Sequence, residues 1–150
     1  MNWMKIACLL TLLTAAAVTT GPASAASARS TTTAIDGVYR ISWTEKEVIA
    51  AGASRLYAHA NFGYAHGGRA VITMTLRSGR LQIVSSPPVC HGTYAVSSNR
   101  VSIKPGPGCQ GVVVATWSLR NGLLRFHVSK ATDPGDEIAW GTKPWKKIGS

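Results

Sequence analysis

Cys90 and His91 stand side by side in "CHGTYAVSSNRVSIKPGPGC", and the stretch closes on a second cysteine, Cys109. A thiol beside an imidazole raises three chemistries: a Cys/His nucleophile, half of a metal site, or a hairpin tied by a disulfide. A nucleophilic thiolate needs a base held against it. Adjacent residues on a strand point to opposite faces, so sequence proximity argues against that partnership. The other imidazoles are His59, His66 and His127, and none completes an H-x-x-x-H or C-x-x-C spacing. His59 and His66 share one aromatic segment, but two loop histidines do not make a metal site without a third ligand. Hydrolysis needs positioned carboxylates, and there are only six acids. Glu45 and Glu47 suit the first turn of a helix, and Asp36 suits the turn before a strand. Asp133, Asp136 and Glu137 sit in "DPGDE", which is turn chemistry and matches no calcium loop. No catalytic residue, metal ligand or cofactor is assigned on these grounds, and an enzyme is not expected.

The fate of the cysteines depends on the compartment. "MNWMKIACLLTLLTAAAVTTGPASA" has one lysine, an apolar run too short to cross a bilayer, and small residues ending Ala23-Ser24-Ala25. It reads as a secretory signal peptide over residues 1–25, followed by a flexible leader over 26–34 and a single domain over 35–150. The expected location is outside the cell, with no transmembrane segment after signal removal. Cys8 leaves with the signal, and an even pair of cysteines in an exported chain favours a disulfide, Cys90–Cys109. Such a bridge would stabilise the fold by roughly 3 kcal/mol through loop closure.

The elements that carry these residues are mostly strands. From Asp36 onward apolar and polar residues alternate, and tight turn signals recur at Ser78-Gly79, Ser98-Asn99 and Asn121-Gly122. Thr44 with Glu47 makes a capping box for one short helix after strand one. "EIAWGTKPWKKI" reads as a last strand interrupted near Pro144. About eight strands joined by hairpins predict a mainly β fold, a small up-and-down barrel, with a two-sheet sandwich as the rival. The inward face is expected to hold Tyr39, Ile41, Trp43, Ile72, Met74, Leu76, Leu81, Ile83, Tyr94, Val96, Val101, Ile103, Val113, Ala115, Trp117, Leu119, Leu124, Phe126, Val128, Ile138 and Trp140.

"IDGVYRISWTEKEVIAAG", "VITMTLRSGRL", "CHGTYAVSSNRVSI" and "TDPGDEIAWGTKPWKKIG" together resemble a small extracytoplasmic domain of high-GC Gram-positive bacteria, often found at the C-terminus of peptide-type solute-binding proteins of ABC importers. The resemblance spans nearly all of Ile35 to Gly149. It implies a lipocalin-like or calycin-like barrel outside the cell, and it carries over no activity and no catalytic residue. Here the domain stands alone behind its own signal peptide, so a role in peptide import is not transferred.

Two binding chemistries follow, besides a third reading as a small secreted enzyme using loop histidines and acids. One is a module that holds a small apolar or peptide-like ligand at the barrel mouth, lined by Tyr57, His59, Phe62, Tyr64, His66, Trp140 and Trp145. The other starts from charge: 16 Lys and Arg against six acids give +10, or +9 once Lys5 leaves with the signal. Arg40, Arg77, Arg80, Arg100, Lys104, Arg120, Arg125 and Lys130 fall outward or at hairpin ends, with Lys143, Lys146 and Lys147 near the C-terminus. That wall would favour an anionic envelope polymer. Specific nucleic acid is not expected, because no aromatics interleave with the charges as a stacking platform requires.

Overall fold

The computed structural model of the chain describes residues 32–60, 68–85, 89–106, 111–132 and 134–150. Eight antiparallel strands follow one another around a closed barrel in chain order. They are β1 (Gly37–Thr44), β2 (Arg69–Arg77), β3 (Arg80–Val84), β4 (Val89–Ser97), β5 (Arg100–Pro105), β6 (Val113–Arg120), β7 (Leu123–Ala131) and β8 (Trp145–Gly149). The up-and-down order is the expected one, and closure leaves no sandwich.

Local chemistry explains the order. β2–β3, β4–β5 and β6–β7 each turn in two residues, all at one end of the barrel, called here the lower rim. Ser78 and Gly79 both take positive φ, as do Asn121 and Gly122. That is the signature of the type I′ turn, whose twist matches that of the flanking strands. The longer connections lie at the upper rim. β1 reaches β2 through α1 (Glu45–Ala50) and α2 (Arg55–Ala58). The Thr44 hydroxyl accepts from the Glu47 N–H at 3.2 Å while the Glu47 carboxylate accepts from the Thr44 N–H at 2.8 Å, completing the capping box.

Two sequence expectations need correction. The sequence predicts a single helix, and the described residues form three. The third, α3 (Pro134–Gly141), occupies what was read as the start of the last strand, so Ile138 and Trp140 are helical and β8 begins only at Trp145. Proline at the first helical position lacks only an N–H that would be unpaired anyway, and Asp136 and Glu137 in the first turn suit the helix dipole. Those features outweigh a short stretch of alternation. Lys147 was placed on the outer wall, but it pairs with Tyr39, whose side chain is inward. Its ammonium donates to the Asp36 carbonyl at 3.0 Å and lies 5.9 Å from the Tyr39 ring centroid.

The core is the predicted inward face. Fourteen of the twenty-one expected residues are buried, including Tyr39, Trp43, Met74, Ile103 and Phe126, and the remaining seven pack against them. Alternation failed to find Ile35, Val48, Ala58 and Trp145, which are also buried. They lie before β1, on the two upper-rim helices and at the β8 start, where no long strand pattern runs.

Asp36 organises the lower rim. Its carboxylate accepts from the Thr33 hydroxyl at 2.5 Å, from the Ser78 N–H at 2.9 Å and from the Tyr94 hydroxyl. Burial alone would raise its pKa, but the hydrogen bonds from Thr33, Tyr94 and Ser78 outweigh that and hold it below the ordinary value. Burial and then the hydrogen bond to Asp36 raise the Tyr94 phenol, and burial pushes Tyr39 up to about 12. A lowered carboxylate pKa contributes stability that is present above the unfolded-chain value and lost as pH falls through the folded one. Tyr94→Phe is therefore expected to lower Tm at pH 7 by about 3–6 °C, for a loss of roughly 1 kcal/mol. The gap to the unmodified protein should close on acidification, which thermal unfolding followed by circular dichroism from neutral to low pH will read.

Candidate anion-binding groove

Among the described residues, those first suspected of chemistry do not converge. Cys90 is buried at 1 % exposure while His91 is exposed, so the neighbours face opposite ways. Cys109, His66, Phe62, Tyr64 and Asp133 lie outside the described residues. His59 is exposed and lies 3.5 Å from the Glu45 carboxylate, and His127 is exposed on β7. Among the described residues no group of three His, Cys, Asp or Glu side chains could hold a metal.

Two glycines of the opening motif, Gly92 and Gly106, have a packing reason. A Cβ at Gly92 would stand 2.5 Å from the Lys104 carbonyl oxygen, and one at Gly106 would stand 2.6 Å from that of His91. β4 and β5 close on each other there, with the Gly106 N–H donating to His91 at 2.6 Å. Gly92 and Gly106 are thus explained by strand approach.

The suspected mouth residues divide. Trp140 and Trp145 are 4 % and 2 % exposed, with ring centroids 5.5 Å apart, and Phe126 stands edge-on 5.6 Å from Trp140. These two tryptophans are core. Tyr57 on α2 packs against the core, and its ring lies on Gly135 of α3, where any Cβ would run into the phenol. α2 and α3 therefore meet over the upper rim through one tyrosine and one glycine. Three indole N–H groups, of Trp43, Trp117 and Trp145, are buried without a hydrogen-bond partner among the described residues. Polar satisfaction is poorest there.

A different place gathers charge. β8 pairs with β1 only from Val38 to Arg40 and with β7 only at Leu123 and Leu124. The upper half of β1 is left without a β8 neighbour, and the loop from α3 into β8 crosses beside it. The result is an open groove of about 570 Å³ on the outer wall, bounded by β1, β2, β8 and the Lys143-Pro144 turn. Arg40, Arg69, Lys143 and Lys146 line it with no acid among them, and Val71 and Ile148 supply apolar surface at 44 % and 43 % exposure.

Each cation is held differently. Arg40 and Lys146 are direct cross-strand partners, both exposed, so two like charges share one face at pairing distance. Such a pair weakens a sheet. Arg69 reaches from β2 to the Ser42 hydroxyl at 3.0 Å. The Lys143 ammonium sits 2.6 Å from the Glu47 carboxylate, donates to the Ser42 carbonyl at 3.1 Å and lies 4.5 Å from the Trp43 ring centroid. The hydrogen bond from Lys143 to the Glu47 carboxylate, followed by the one from the Thr44 N–H, holds the Glu47 pKa at about 2. Sequence reasoning had Arg40, Lys143 and Lys146 as wall charges but did not single out Arg69. The available signal was Val71, an apolar residue on the outward phase of β2, two residues from Arg69.

The wider wall follows the same rule. The eight strands carry no Asp or Glu at all, against two Lys or Arg on each of β2, β5, β7 and β8 and one on each of β1, β3 and β6, eleven in total. The described acids sit before β1 and on α1 and α3. No family model, no curated protein and no solved structure matches the chain.

Gly135→Ala should separate α2 from α3. A methyl has no room beside the Tyr57 ring, and overpacking of this kind costs about 1–3 kcal/mol. Thermal unfolding should show the loss, and Gly135→Ala combined with Tyr57→Ala should recover part of it relative to Tyr57→Ala alone.

Proposed function

We propose that this chain is an exported, non-enzymatic binding module that attaches to an anionic envelope polymer through its outer wall. The observation that carries this reading is the segregation of charge: ten outward cations on the strands, Lys147 being turned inward, and no acid on any strand. A barrel needs polar residues outside, but mixed charge or neutral Ser and Thr would serve solubility as well and avoid self-repulsion. An acid-free wall with cations on seven of its eight strands creates an extended positive field, suited to a long flexible polyanion that can follow it. The position of Trp140 and Trp145 in the core moves the expected contact from the barrel mouth to the wall. The resemblance to extracytoplasmic domains and the signal-like N-terminus support the exported location.

Binding by counterion release weakens steeply with salt. Retention of the protein on immobilised polyphosphate should fall at least about tenfold between roughly 50 and 200 mM salt, and neutral dextran should not retain it. Equal retention on both matrices, or retention indifferent to salt, would overturn the reading.

The same reading includes a Cys90–Cys109 bridge near the open end of the β4–β5 hairpin. Cys90 is buried opposite Ile83, as a structural sulfur would be. Protein isolated from an exported fraction should show no free thiol to a thiol reagent after denaturation, and two after reduction, once the signal carrying Cys8 is removed. Two reactive thiols before reduction would exclude the bridge.

A further inference from the structure

The groove beside β8 differs in kind from the rest of the wall. Elsewhere the cations are spread over a convex surface, whereas here four converge around a concave space of about 570 Å³ with an apolar side. That volume lies in the range of small-ligand sites. Among the described residues, Glu47 is the acid that meets these cations, and it is paired to Lys143.

We infer that this groove binds one phosphate group, carried by a single repeat of a phosphodiester polymer; the inference rests on the polyanion reading above. Three features select the chemistry. First, Arg40 and Lys146 are opposed like charges, and an anion seated between them turns their repulsion into two attractions. Second, the cations come from different sides: β1 and β8 together, β2 through Arg69, and the turn through Lys143. A planar carboxylate offers two oxygens, whereas a tetrahedral phosphate presents acceptors in several directions and suits the guanidinium fork. Lys143 has three ammonium donors, of which Glu47 and Ser42 take two. Third, Val71 and Ile148 are exposed next to the charges, so the groove offers a surface to the uncharged carbon backbone that joins successive phosphates.

The test is a titration of the isotope-labelled protein with glycerol 3-phosphate, glycerol and acetate, followed by amide chemical shifts. Glycerol 3-phosphate should give saturable shifts concentrated at Arg40, Ser42, Val71 and Lys146. Acetate should bind about tenfold more weakly, and glycerol should not register. Arg40→Glu and Lys146→Glu should each weaken glycerol 3-phosphate about tenfold, while Arg100→Glu on the far wall should change it less than about twofold. Arg40→Gln, which removes the charge without reversing it, should weaken binding less than Arg40→Glu while keeping the same spectrum elsewhere, which guards against misfolding as the cause. Shifts that do not saturate, or that spread evenly over the wall, would overturn the groove as a site. Polyphosphate retention would then still stand on the wall alone. Saturable groove binding without polyphosphate retention would instead remove the polymer as the source of the phosphate and sink the broader reading.

Discussion

Asp36 sits where the chain must close on itself, and its one carboxylate accepts hydrogen bonds from the segment before β1, from the β2–β3 turn and from β4. Its carbonyl accepts from Lys147 on β8. A closed barrel has no free edge only if the last strand finds the first, and β8 is just five residues long. The register between β1 and β8 rests on three residue pairs. A partly sheltered, hydrogen-bonded carboxylate is a sensible anchor at such a seam, because each donor would lose a charged acceptor if the seam slipped.

The shortness of β8 determines the outer wall as well. Had the chain continued as a strand from Pro134, β1 would be paired along its whole length and no groove would form. Instead α3 covers the upper part of β7, with Gly141 against Val128, and the chain returns through Lys143 and Pro144. Lys143 then bridges the opening by holding Ser42 on β1 and Glu47 on α1. The helix that closes the upper rim and the groove that gathers cations therefore have one cause.

How much of this was legible varies with the range of the signal. Strand alternation and turn residues are local, so the barrel order, the inward face and the type I′ turns could be read directly. α3 could not, because Ile138 and Trp140 fit a two-residue period as well as they fit a short helix, and the deciding evidence of Pro134 and the first-turn acids looks like turn chemistry when seen alone. The burial of Trp145 was not legible, because it lies at the start of a five-residue strand against Trp140, which arrives from a helix. The groove was invisible for a related reason. Arg40, Arg69 and Lys146 lie far apart in sequence, and only the register of β1 with both neighbours sets them together. The Cys90-His91 pair, the most suggestive chemistry in the chain, is divided by the simplest rule of strands, one side chain in and one out.

The acid-free wall also bears on the protein before it meets anything. Eleven like charges on one small barrel repel each other in the folded state more than in an extended chain. Added salt should therefore firm the unbound barrel while loosening its grip on a polyanion, so stability and attachment respond to ionic strength with opposite sign. A bound polyanion would replace that salt as the counterion. The molecule would be most rigid on its surface of attachment and least so in dilute solution after release.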